Sequence, residues 1–330
     1  MKELIQDLVQ IAGPSGYEAD VREYVQKDLK GHVDEMKVDP LGNLITRKGP
    51  KDGSGLNVML AAHLDEIGVI VTHLDDNGFA RFTTVGGVFP RNTVGARVKF
   101  LNGTGGVIGM EPTGYSSVTP INQMYIDVGV TKKSEMPVKV GDVAAFERTF
   151  EDLGKRLVSK ALDDRVGVAV LIEIMKQLKD TPHNVFGVFT VQEEVGVRGA
   201  AAAAYGVDPD LGIAIDVTLT GDTPKAKTMD VSLGKGPAIK VKDSGMISDP
   251  RVVAWMEAGA KRARIPYQKE ILTGGSTDAR AIQITREGVP AGCVSIPCRY
   301  VHSPSEMVDY KDVQDSVKLL VQLLKRPIKL

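Results

Sequence analysis

Asn57-Val58-Met59-Leu60-Ala61-Ala62 is an apolar run of strand length that breaks off at His63-Leu64-Asp65-Glu66. A run this short, with no polar alternation, suits a strand buried on both faces, as in the middle of a parallel sheet. Open α/β sheets bind ligands outside the carboxyl ends of their strands, so the polar residues that follow mark a place to look for chemistry.

Upstream, Leu4, Ile5, Leu8, Val9 and Ile11 recur at helical spacing until Gly13-Pro14-Ser15-Gly16 stops them. A second helix is expected from about Glu18 to Leu29. Strands follow at Val33 to Val38 and Asn43 to Lys48, around the turn Asp39-Pro40-Leu41-Gly42. Downstream of the central run, short β-branched stretches alternate with Asp-Asn-Gly, Gly-Gly and Asn-Gly turn signals, so residues 68–149 read as a small inserted β domain. Helix and strand patterns then alternate again: helix Asp164 to Leu178, strand Asn184 to Thr190, helix Gly199 to Tyr205 and strand Leu211 to Asp216. Helices at Pro250 to Ala263 and Asp278 to Glu287, a strand at Ala291 to Ile296 and a helix at Tyr310 to Leu324 complete the chain. The expected fold is α/β: a mixed, mainly parallel sheet with helices on both faces, built from residues 1–67 and 150–330, and interrupted by the β insertion.

The 330 residues exceed the usual size of one core, and 42% apolar with 25% charged residues is ordinary globular usage. A net charge of -1 predicts no nucleic-acid or anionic-membrane partner. Met1 to Asp7 carries acids where a secretion signal would be basic and then apolar, and no apolar run reaches membrane-spanning length. Cys293 and Cys298, five apart on one strand, fall on opposite faces and should stay reduced, which fits a cytoplasmic location.

Five segments put His or carboxylate beside apolar strands: His63 to Asp65, Asp163-Asp164, Glu193-Glu194, Asp216 and His302. Each has an ordinary explanation when taken alone. Glu193-Glu194 would serve as a solvated pair opening a helix; Asp216 would serve as a cap or as the partner of an arginine; His302 would serve as a loop histidine. His32, His73 and His183 are expected in polar turns, leaving His63 and His302 as the two histidines next to buried strands. Together, two His and three carboxylates suit hard-to-borderline divalent metals, and one bridging carboxylate would hold two ions roughly 3.5–4 Å apart.

The chain resembles the glutamyl aminopeptidase and TET-type metallo-aminopeptidase family. The matching stretches, in family order, are Gly13-Pro14-Ser15-Gly16-Tyr17-Glu18, Asp39-Pro40-Leu41-Gly42-Asn43, Ala62-His63-Leu64-Asp65-Glu66 and Lys160-Ala161-Leu162-Asp163-Asp164-Arg165. They continue with Gln192-Glu193-Glu194-Val195-Gly196, Gly274-Gly275-Ser276-Thr277-Asp278-Ala279 and Arg299-Tyr300-Val301-His302-Ser303-Pro304. The resemblance implies a di-zinc aminopeptidase-like fold with a PDZ-like inserted barrel for oligomerisation, usually a dodecamer built from dimers. It implies two divalent ions, Zn or Co, with Asp163 bridging, His63 and Asp216 completing one site, and Glu194 and His302 the other. Glu193 would be the general base and Asp65 the residue orienting His63. The expected substrates are peptides cut at the N-terminal residue. A deacylase of N-acylated amino acids would share these ligands, whereas a glycoside hydrolase is disfavoured by 5% aromatic residues with Trp255 alone as tryptophan. A non-catalytic shell is disfavoured because no ligand is missing. No chemistry is assigned to Gly274 to Ala279, and Gly234-Lys235-Gly236-Pro237 lacks the features of a phosphate loop.

Overall fold

A computed structural model describes residues 1–112 and 118–330. Asn57–His63 lies between Asn184–Thr190 and Leu211–Thr218, parallel to both, and Ala291–Arg299 runs parallel beyond Leu211–Thr218. Leu44–Lys48 and Glu35–Val38 extend one edge in the antiparallel sense. Glu306–Asp309, Arg156–Ser159 and Glu151–Asp152 extend the other. Ala238–Lys242 and Gln268–Ile271 branch from Ala291–Arg299, giving an 11-stranded mixed sheet.

Alternation along the central strand sets the two layers. Val58, Leu60 and Ala62 pack into one core with Leu4, Ile5, Leu8, Ala169, Ile172 and Leu320. Met59 and Ala61 pack into another with Ala203, Ala204 and Ile282. Successive side chains of a strand point to opposite faces, so one strand needs helices on both sides. Lys2–Gln10, Leu162–Gln177 and Tyr310–Leu324 supply one side, and Arg198–Val207 with Asp278–Gln283 the other. Each fully buried Leu, Ile or Val contributes roughly 1.5–3 kcal/mol.

The insertion is a closed antiparallel barrel of Gly68–Leu74, Phe79–Val85, Met124–Asp127, Gly105–Met110, Arg97–Phe100 and Val143–Phe146. It has its own core around Val69, Val71, Phe82, Phe100, Ile108 and Phe146. Closure leaves no unpaired strand edge.

Several expectations need correction. Leu211–Thr218 runs two residues beyond Asp216, and Asp278–Gln283 is shorter than expected, with turns after it and Arg286 in the left-handed region. His183 does not sit in a polar turn: it is 4% exposed, directly precedes a core strand and lies 3.0 Å from the Arg326 carbonyl through Nε2. His73 lies within the strand Gly68–Leu74. Both cysteines are buried and unbridged, and among the described residues no helix is long and apolar enough to cross a membrane.

Candidate metal centre

The carboxyl ends of the central strands, with Asp163 in the first turn of Leu162–Gln177, bring the five expected ligands into one pocket. His63 ends Asn57–His63, Asp216 lies near the end of Leu211–Thr218, and Glu194 follows Asn184–Thr190. His302 lies in the turn between Ala291–Arg299 and Glu306–Asp309. Asp163 offers one oxygen to each imidazole: Oδ1 is 3.1 Å from His63 Nε2 and Oδ2 is 3.4 Å from His302 Nε2. Glu194 Oε1 lies 3.2 Å from His302 Nε2. Ligand atoms of His63, Asp163 and Glu194 lie within 4.8 Å of one another, as do those of His63, Asp164 and Asp216. One carboxylate between two nitrogen donors is the arrangement that a pair of ions needs.

Each imidazole is oriented by a backbone carbonyl. His63 Nδ1 is 3.0 Å from the Asp65 carbonyl, and His302 Nδ1 is 2.9 Å from that of Gly87. A carbonyl only accepts, so Nδ1 carries the proton and Nε2 faces the carboxylates.

Charge in the pocket is unbalanced. Burial, joined by the charges of Asp216, Asp278 and Glu194, pushes Glu193 well above the usual carboxylate range despite His63 beside it. Burial, together with Asp163, does the same to Asp216, and Glu194 rises for the same first reason. Burial opposes ionisation of His63, yet Asp163 and Asp65 raise it well above the usual histidine range. His302, under the same opposition, is raised to about 12 by Asp163 and Glu194. Asp163, though buried, is held low by its bonds to the two histidines. Imidazole and carboxylate donors with surplus negative charge fit divalent ions.

Around the ligands runs a shell of buried acceptors, only part of which the sequence flagged. Asp65 accepts from Ser15 Oγ at 2.6 Å and from the amides of Glu193 and Glu194 at 2.9 and 3.1 Å. Its place beside His63 was expected, but its grip on the Glu193-Glu194 loop was not. Glu18 accepts from the Gln192 amide at 3.1 Å, so three consecutive amides of that loop end on buried carboxylates. Glu306 joins both ends of the site, accepting from the Asp163 amide at 2.9 Å and the His302 amide at 2.8 Å. Asp164 accepts from the His63 amide at 3.2 Å. Asp278, in the stretch given no chemistry, is buried, bonded to Thr190 and raised to about 6, chiefly by burial. The only sequence signals for these were the Asp163-Asp164 doublet and acids beside motif residues.

The profile of the M42 glutamyl aminopeptidases matches residues 42–319. A protein of Acetivibrio thermocellus assigned as an aminopeptidase is 47% identical over 98% of both chains. The lysyl aminopeptidase of Pyrococcus furiosus is 36% identical over 98% of this chain and 96% of its own. The structure superposes on the TET1 peptidase of Pyrococcus horikoshii with a TM-score of 0.88 at 36% identity, covering 98% of each chain. That peptidase is described as assembling into a tetrahedron or a large octahedral shell.

Proposed function

This chain belongs to the M42 glutamyl aminopeptidase family and is a peptide hydrolase, and we propose that it removes N-terminal residues from peptides using two divalent ions held by His63, Asp163, Glu194, Asp216 and His302. The observation that carries the reading is Asp163, whose two carboxylate oxygens reach one imidazole each.

Bound at these side chains, divalent ions would polarise the scissile carbonyl and lower the pKa of water toward neutrality. Glu193 is the general base. Its carboxyl belongs to the Glu193-Glu194 pair and its backbone amide is fixed by Asp65, which suits it to take a proton from the attacking water. The same carboxyl then returns that proton to the leaving amine. The substrate's free α-amino group would bind beside an ion or a carboxylate of the site, which selects chain ends over internal bonds. The barrel is the assembly module by analogy with the shell-forming relative, with dimers building a dodecamer.

The test is metal-free protein supplied with Zn or Co and Leu, Glu, Lys and Ala p-nitroanilides, beside an N-acetylated analogue and a soluble cellulose. Metal-dependent release from free-amine substrates alone is expected. Turnover of the acetylated analogue would point to a deacylase instead, and silence on every amide to a non-catalytic shell.

A further inference from the structure

The wall of the site beside His302 comes from the barrel and not from the large sheet. The strand Phe79–Val85 leads directly into Gly86-Gly87-Val88-Phe89. The Gly87 carbonyl accepts from His302 Nδ1 at 2.9 Å, and the Phe89 ring centre lies 6.0 Å from that of the imidazole. Asn92 reaches the His302 carbonyl at 3.4 Å. Gly86 covers the neighbouring ligand: a Cβ there would lie 3.1 Å from Glu194 Cβ and 3.2 Å from its Oε2, at a φ of +80° that disfavours any side chain. A Cβ on Gly87 would lie 2.6 Å from His302 Nδ1. By contrast, His63 takes its orientation from Asp65, two residues along its own strand end.

We propose that Gly86 and Gly87 are positioning residues for the Glu194–His302 half of the centre: the Gly87 carbonyl fixes His302 with Nδ1 protonated and Nε2 toward Asp163 and Glu194, and two bare backbones leave both ligands room. The inference rests on the metallo-aminopeptidase reading. It makes the barrel part of the active centre, so the two halves of the centre depend on different parts of the fold. Groups that orient a metal-binding imidazole typically change metal affinity or activity about 10- to 100-fold when disturbed.

The test compares full-length wild type, Gly87→Ala and Gly105→Ala. Gly105 lies in the same barrel, and a Cβ there meets nothing within 4 Å. Metal-free protein is titrated with Co, following its absorption and equilibrium dialysis, and kcat and KM are measured on the preferred free-amine p-nitroanilide. Wild type and Gly105→Ala should bind two ions alike. Gly87→Ala should keep one ion at wild-type affinity, bind the other roughly 10- to 100-fold more weakly, and lose kcat with little change in KM. A Gly87→Ala protein that binds both ions as the wild type does, or loses both equally, overturns the inference alone. A wild type with no metal binding or no turnover overturns the functional reading and this inference with it. Should Gly87→Ala fail to fold, solid-state NMR of histidine-labelled, Zn-loaded wild type answers the same question. The His302 signal, assigned by its loss in His302→Gln, should show a hydrogen-bonded proton on Nδ1, and an unprotonated Nδ1 overturns the assignment.

Discussion

Both imidazoles of the centre give their Nδ1 protons to carbonyls, and Glu306 behind them holds backbone amides rather than side chains. Glu306 shows what this arrangement demands. A carboxylate can accept from the Asp163 and His302 amides at once, whereas Gln must aim its NH2 at one of them. Glu306→Gln should therefore weaken metal binding and kcat/KM about 10- to 100-fold, read by dialysis and kinetics; unchanged values would make Glu306 a bystander. Asp278 gives a pH signature. Its carboxyl is raised to about 6 by burial, above an unfolded value of about 3.9, so native protein keeps a proton that the unfolded chain has lost. Its contribution is thus complete below pH about 4 and is lost as pH rises through about 6. Metal-free Asp278→Asn, which has no proton to lose, should gain stability over wild type by on the order of 2 kcal/mol between pH 4 and 7 in denaturant titrations. A constant difference between the two across that range would sink the account. The ligands were legible because each follows an apolar strand or opens a helix within a recognisable motif. Glu306 and Asp278 were not legible, since a buried acid whose task is to hold an amide looks like any surface acid in a sequence.

At the scale of elements, the positions of the strand ends decide what meets. The loop after Asn184–Thr190 is pinned by Glu18 and Asp65, while the loop after Asn57–His63 is pinned by Arg165. That guanidinium is fully buried, donates to the carbonyls of Leu64, Leu8 and Ile11, and lies 3.6 Å from Glu66. It thereby ties the first helix to the strand end that carries His63 and Asp65. Arg165→Ala would leave the carbonyls of Leu64, Leu8 and Ile11 without that donor and Glu66 with only Lys160 and the Gly13 amide. A loss of roughly 3–5 kcal/mol in urea unfolding is expected, as for other broken buried pairs; a loss below about 1 kcal/mol would show that water replaces it. Strands with apolar runs, Asn57–His63 and Leu211–Thr218 among them, were legible from pattern. Ala238–Lys242 and Gln268–Ile271 were not, because their buried residues include Lys240 and Glu270, an ion pair sealed between them and invisible to any apolar pattern.

For the molecule as a whole, the barrel carries apolar side chains that a lone chain leaves in water: Val94, Leu101, Val107, Val118 and Val140 are 44–64% exposed. The proposed assembly would cover such residues. Light scattering should give a mass many times the 35.5 kDa of one chain, and Val107→Asp should reduce it; a monomeric wild type would contradict the assembly. The large division of the fold was legible because hydrophobic period changes from mixed helix and strand to short strands near residue 68 and back near residue 150. The contact of that barrel with His302 was not, since the two glycines that make it read as a turn. The most direct test of the central claim is metal content and turnover measured together in wild type and Glu193→Gln. Two ions per chain in both proteins, with kcat about 100- to 10,000-fold lower in the variant, is the predicted result. Near-normal turnover in Glu193→Gln, or fewer than two ions in the active wild type, would contradict it.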